Sequence, residues 1–232
     1  MKTLSLLALA VLLGVPASGQ APSVKGKPVS EKHRHHHPKA APAPAGLQMP
    51  KGHLPLPILM QETDYSCGAA ALLSVLRYWQ VFEGNERDLY GPLQTTPNDG
   101  TEPQSLAAFA RKQGLKAEMK EKMTLEDLRA ALKDGVTVIV DIQAWRDESE
   151  ADTPWEDLWE DGHYVVLSAM DSKNAYFMDP SVMGTYAFIP LSELPGRWHD
   201  YEDRDGTLKR YYQLGILIKG KQPLDSAPVP IE

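Results

Sequence analysis

The chain has 232 residues, of which 42% are hydrophobic and 24% charged, with a formal net charge of −7. That is apolar material for one ordinary globular core rather than two. The acidic balance, with no basic stripe, excludes a protein that tracks the phosphates of nucleic acid.

In chain order, the first segment has the make-up of a signal peptide over residues 1–19. Lys2 supplies the positive start, residues 4–15 an apolar stretch, and Ala17-Ser18-Gly19 a small-residue cleavage site. The apolar stretch is shorter than the ~20 residues of a bilayer span, and no later segment approaches that length, so no stable membrane insertion is expected after cleavage. A lipoprotein needs a cysteine at the cleavage site, and the one cysteine is Cys67. The expected address is therefore periplasmic, with secretion as the alternative. Residues 20–54, rich in Pro, Ala, Ser and Lys, have the composition of a disordered linker. Within them His33-Arg34-His35-His36-His37 reads as a solvated spacer, with loose capture of a transition metal as the alternative.

A single folded domain is expected over 55–219, followed by a polar tail over 220–232. An amphipathic helix is predicted over 67–79, opened by Cys67, with Ala70, Leu73, Val75 and Leu76 facing the core. Further helices are predicted over 103–113, with Pro103 in the first turn and Gly114 as stop, and over 124–133, capped by Thr124 and ended by Gly135. Extended segments follow them over 115–120 and 136–143, the second rich in β-branched residues. The second half turns to strands, over 163–170, 175–178, 185–189 and 210–218, with Asp171-Ser172-Lys173-Asn174 as a hairpin loop. Helices first and antiparallel strands later spell an α+β fold.

A lone thiol in an oxidising compartment is either a buried bystander or a nucleophile. At a helix start, unpaired N–H groups and the macrodipole favour a thiolate, which makes Cys67 a candidate nucleophile. Gly68 and Ala69 keep bulk low behind it. Gln61, on the incoming loop, can aim its side-chain N–H at an oxyanion, joined by the backbone N–H of Cys67. His163, at the start of the apolar run Tyr164-Val165-Val166-Leu167, is the candidate base, with a satisfied strand-end histidine as the bland alternative. His53, in the approach to the domain, and His199, in a polar loop with Asp200, Glu202 and Asp203, have no comparably fixed seat. Asp179 closes the neighbouring strand, and simple hairpin pairing puts it across from His163, where a carboxylate orients the imidazole. Pro180 restricts its backbone to extended geometry.

Residues 145–161 hold Trp145, Trp155 and Trp159 among eight carboxylates and the single Arg146. Because the stretch leads into His163, these tryptophans are candidate substrate-binding residues at the cleft rim. The alternative is a surface loop whose tryptophans pack locally.

The run Gln61-Glu62-Thr63-Asp64-Tyr65-Ser66-Cys67-Gly68-Ala69-Ala70, then Gly162-His163-Tyr164-Val165-Val166, then Asp179-Pro180, resembles the bacteriocin-processing, double-glycine-leader family of papain-like cysteine peptidases. The resemblance spans about residues 58–218. It implies a papain-like fold, an N-terminal helix bearing Cys67 packed on an antiparallel sheet bearing His163 and Asp179, with Gln61 as oxyanion donor. It implies an endopeptidase acting through a thioester on a peptide or protein substrate, with no cofactor and no metal. Ser66 departs from the family's usual Asp. Many members are fused to a membrane domain and an ATPase, and no Walker-type loop occurs here. The resemblance is thus to an exported, stand-alone branch with a possible secretion-system partner, including the component that accompanies secretion of functional amyloid. A non-proteolytic escort module and a transpeptidase stay open as alternatives.

Overall fold

A computed structural model describes residues 47–204 and 206–225. The expected signal peptide over 1–19, the histidine tract 33–37 and the end of the tail, 226–232, lie outside the described residues. The elements are α1 (Cys67–Tyr78), α2 (Arg87–Leu93), α3 (Pro103–Lys112), β1 (Lys116–Lys120), α4 (Leu125–Lys133), β2 (Thr137–Gln143), β3 (Gly162–Met170), β4 (Asn174–Met178), β5 (Ala187–Pro190), α5 (Leu194–Arg197), β6 (His199–Arg204), β7 (Thr207–Tyr212) and β8 (Gly215–Lys219). Six strands form one antiparallel sheet in the order β1-β8-β2-β3-β4-β5, and β6 pairs with β7 in a second. No helix of the described residues is long and apolar enough to cross a membrane.

The centre of the sheet is buried on both faces. On one, α1 and α3 pack Leu72, Leu76 and Leu106 against Ile139, Tyr164, Val166 and Met178. On the other, Leu128 of α4, Leu194 and Trp198 cover Val138, Val140, Val165, Leu167 and Phe177. β2 and β3 are buried nearly end to end, which explains runs of apolar residues where a half-exposed strand would alternate.

α1 goes beyond the amphipathic pattern, since every residue except Arg77 is buried. Its small residues Gly68 to Ala71 allow the close approach: a Cβ on Gly68 would stand 2.8 Å from Thr101 Cβ and 3.0 Å from Tyr164 Cδ2. The predicted helix over 124–133 carries a capping box, Thr124 Oγ1 accepting from Asp127 N–H and Asp127 from Thr124 N–H. α2 escapes sequence reading because Gly91 and Pro92 sit inside it and argue against a helix.

Two further expectations are corrected. The strand over 210–218 is two strands, broken where Gln213 takes a left-handed φ of 46° and the chain bonds back to Lys122 and Met123. The supposed polar loop around His199 is strand β6, whose His199 and Tyr201 turn inward while charged neighbours conceal the alternation.

The β3–β4 hairpin is irregular. Met170 pairs with Ala175 and Ala169 with Tyr176; Ser168 is then skipped, and pairing resumes at Leu167↔Phe177 and Val166↔Met178. Ser168 is a bulge, and the side-chain alternation of β3 inverts there, so that Met170, Leu167 and Val165 all pack on one face. The entering chain is packed from Leu54 onward: Leu54 and Leu56 are buried, and Leu54 N–H donates to Ser168 C=O at 2.9 Å. At the other end, Leu224 N–H donates to Tyr78 C=O.

Candidate active site

Cys67 is buried at the first position of α1. The preceding Ser66 does not cap the helix. Its Oγ accepts from Thr63 N–H at 3.1 Å and donates to Thr63 C=O at 3.2 Å, so the Ser66 side chain leaves the first-turn N–H groups unclaimed. They point toward the start of the helix, where they favour negative charge.

His163, the second residue of β3, is 1% exposed, and its Nε2 meets Asp179 Oδ1 at 2.7 Å. The same carboxylate oxygen accepts from Ser181 N–H and Ser181 Oγ, each at 2.7 Å. Asp179 is therefore fixed before the imidazole is considered. The expectation of direct cross-strand pairing needs correcting: continuing the register one step sets Val165 opposite Asp179, and His163 reaches the carboxylate diagonally on the same face.

Burial works against a charged His163, but the charge and hydrogen bond of Asp179, with the Cys67 thiol adding in the same sense, outweigh it and hold the imidazole above its ordinary value. Asp179 responds reciprocally. Burial raises it, the His163 cation and the Ser181 donors lower it further, and it lies below the usual carboxylate range. His163 Nδ1 is buried and makes no completed hydrogen bond, while the thiol acting on the ring is that of Cys67. Unliganded sites commonly leave such contacts loose until substrate binds.

Gln61 lies on the loop entering α1. Its backbone N–H donates to Pro180 C=O at 2.9 Å, tying that loop to the corner after Asp179, and its Nε2 donates to Thr63 C=O at 2.7 Å. One amide N–H remains for another acceptor.

Of the three tryptophans, Trp145 alone reaches this group, with its ring 4.8 Å from that of His163. Trp155 is held between the guanidinium groups of Arg146 and Arg197, at 3.8 and 4.1 Å. Trp159 packs tilted against His199 at 4.3 Å and edge-on to Tyr212 at 5.7 Å. The neck of this loop is closed by Ala144 N–H to Asp161 C=O, and by Gln143, which bonds Asp161 N–H, His199 C=O and Asp200. Of the competing histidines, His53 contacts Pro50 C=O and the Tyr186 ring, and His199 contacts Leu158 C=O at 2.7 Å.

A cleft opens beside Cys67 between the helix start and β6, and its walls include Asp99, Asp141, Asp200, Glu202 and Tyr164. No Lys or Arg lines it among the described residues. Burial and then Asp141, Glu202 and Asp200 drive the Tyr164 hydroxyl upward, so these carboxylates act on one small volume. Gly162 is needed there, since a Cβ would fall 2.0 Å from Asp200 Oδ2. Sequence reading missed this wall because its acids come from three separated segments. Only the glycine before His163 hinted at a close approach.

A cysteine-bearing helix seated on an antiparallel sheet that presents histidine and aspartate defines a papain-like cysteine peptidase. Residues 56–201 match the peptidase C39 family, and the chain belongs to that family. An uncharacterized protein of Methanothermobacter thermautotrophicus is 34% identical over 125 residues, spanning 54% of this chain and 72% of the relative. The fold is similar to that of a putative C39-like peptidase from Bacillus anthracis, with a TM-score of 0.53 and 19% identity over 73% of this chain and 96% of that one. A double glycine motif protease from an AMS/PCAT transporter, solved with its leader peptide, gives 0.49 and 19% over 74% and 96%.

Proposed function

We propose that the chain is an exported endopeptidase in which Cys67 is the nucleophile, His163 the proton carrier, Asp179 the orienting acid and Gln61 an oxyanion donor. The observation that carries the reading is the His163–Asp179 pair at 2.7 Å, with the Cys67 thiol acting on the same ring from a helix start. Sγ attacks the carbonyl carbon of the scissile amide, and the negative charge on its oxygen is met by Gln61 and the Cys67 backbone N–H. His163 then gives its proton to the leaving amine and the C–N bond breaks, leaving a thioester. Water, deprotonated by His163, hydrolyses that thioester and regenerates the thiolate–imidazolium pair. Asp179 stays ionised throughout and holds the ring.

The substrate is a peptide, and the acid-lined cleft beside Cys67 supports a preference for cationic or neutral residues near the scissile bond. Cys67→Ala should abolish hydrolysis of such peptides while retaining the wild-type melting transition, because only a small group at a helix start is lost. Hydrolysis at the wild-type rate would overturn the assignment. Export rests on Lys2, the apolar stretch 4–15 and Ala17-Ser18-Gly19. N-terminal sequencing of the periplasmic or secreted product should begin near Gln20; a cytoplasmic product still starting at Met1 would refute export.

A further inference from the structure

We infer that Ser168, clasped by Leu54, is a positioning residue that sets the His163–Asp179 pair. The inference rests on the proposed roles of those two residues. Ser168 is fully buried within the apolar run of β3, at the one step where β3 and β4 fall out of register. There its C=O accepts from Leu54 N–H at 2.9 Å and its Oγ donates to Leu54 C=O at 2.7 Å. The entering segment thereby satisfies polar groups that a skipped ladder step would leave buried and unpaired.

The bulge decides on which face Asp179 emerges. In the hairpin half of β3 the pairs are Met170↔Ala175 and Ala169↔Tyr176. If that register ran on without interruption, Val166 would stand opposite Asp179, and the carboxylate would share a face with Tyr164 and Val166 rather than with His163. One extra residue at Ser168 moves the partner to Val165 and places the acid on the face of His163. The clasp also continues along the chain. Tyr186 Oη donates to Leu56 C=O, Ser74 Oγ of α1 to Pro57 C=O, and Gln61 N–H to Pro180 C=O, at 2.8, 2.7 and 2.9 Å. A single strap thus joins the bulge, the nucleophile's helix and the corner after Asp179.

The test compares Ser168→Ala, which removes the hydroxyl, Leu54→Pro, which removes the N–H while leaving β3 intact, and Ser168→Thr, which keeps the hydroxyl. Three readouts are taken on the full chain: thermal unfolding, NMR titration of the His163 ring, and the rate of Cys67 alkylation by iodoacetamide at neutral pH. In Ser168→Ala and Leu54→Pro, melting should stay cooperative, the His163 titration should fall toward the ordinary value of about 6.5, and alkylation should slow about tenfold or more. Ser168→Thr should restore both. Wild-type titration of His163 in Ser168→Ala and Leu54→Pro overturns the inference, as does failure of Ser168→Thr to restore it. If Ser168→Ala does not fold, Leu54→Pro is read in its place; unfolding of all three assigns the clasp to stability alone and also overturns it. Titration is read without substrate, so its outcome is separate from whether Cys67→Ala abolishes hydrolysis.

Discussion

Gln61 is the residue whose role most depends on one proton. Its Nε2 already donates to Thr63 C=O at 2.7 Å, which fixes the amide plane, and its backbone N–H is anchored to Pro180. A side chain held from both ends loses little entropy when its second N–H meets a developing oxyanion. Gln61→Ala should lower kcat about 10²–10³-fold with KM little changed, since the lost bond forms chiefly in the transition state. Steady-state kinetics on a cleavable peptide would show this, and an effect confined to KM would move Gln61 to substrate binding. Trp145 acts differently: half-buried and 4.8 Å from the His163 ring, it covers an imidazole that is almost wholly out of solvent. Cover of this kind strengthens the ion pair by excluding water.

At the scale of the element, the β3–β4 hairpin is both a core ribbon and the carrier of the ion pair. Its pH dependence follows from the directions of the two shifts. His163 titrates higher folded than unfolded, so its contribution to stability is complete below about pH 6.5 and is lost as the pH rises through the folded value. Asp179 titrates lower folded than unfolded, so its contribution is present above about pH 3.9 and is lost as the pH falls through the depressed value. The pair is strongest between those limits. Asp179→Asn keeps the shape of the hydrogen bond but removes the charge that raises His163. Melting curves recorded against pH should therefore show the wild-type advantage over Asp179→Asn largest near pH 5–6 and shrinking on both sides. A difference that stays constant from well below about pH 3.9 to well above about pH 6.5 would show that the two groups do not titrate as a pair.

For the whole molecule, part of the excess negative charge falls where it affects chemistry, because Asp99, Asp141, Asp200 and Glu202 share the cleft with Cys67. Carboxylates in a partly desolvated cleft raise the local concentration of cationic ligands and repel anionic ones. A peptide bearing Lys beside the scissile bond should be turned over with higher kcat/KM than its Glu counterpart. The gap should narrow as added salt shortens the Debye length from ~30 Å at 0.01 M to ~3 Å at 1 M. Equal rates for the two peptides at low salt would remove the cleft from specificity. The segments on either side of the sheet take part in the same architecture: Leu54 clasps the bulge, while Pro223 and Leu224 fasten to Gln80 and Tyr78 at the C-terminal end of α1.

By itself, the sequence determined the helix that opens at Cys67, most of the strands, the α+β class and the residue types a thiol hydrolase requires. Those features are written in local patterns: small residues after a lone cysteine, β-branched runs, a capping threonine, and a histidine followed by an apolar strand. The tertiary structure alone decided how they meet. Asp179 shares a face with His163 because a single buried serine shifts the register, which no periodicity of β3 reveals. β6 was concealed by its charged outward residues, and α2 by a glycine and a proline. The acidic wall is assembled from Asp99, Asp141 and the Asp200–Glu202 strand, far apart in sequence and joined only when the second sheet closes over Gly162. Local physics fixes which elements form, whereas register and cross-chain hydrogen bonds depend on partners that a linear pattern does not identify.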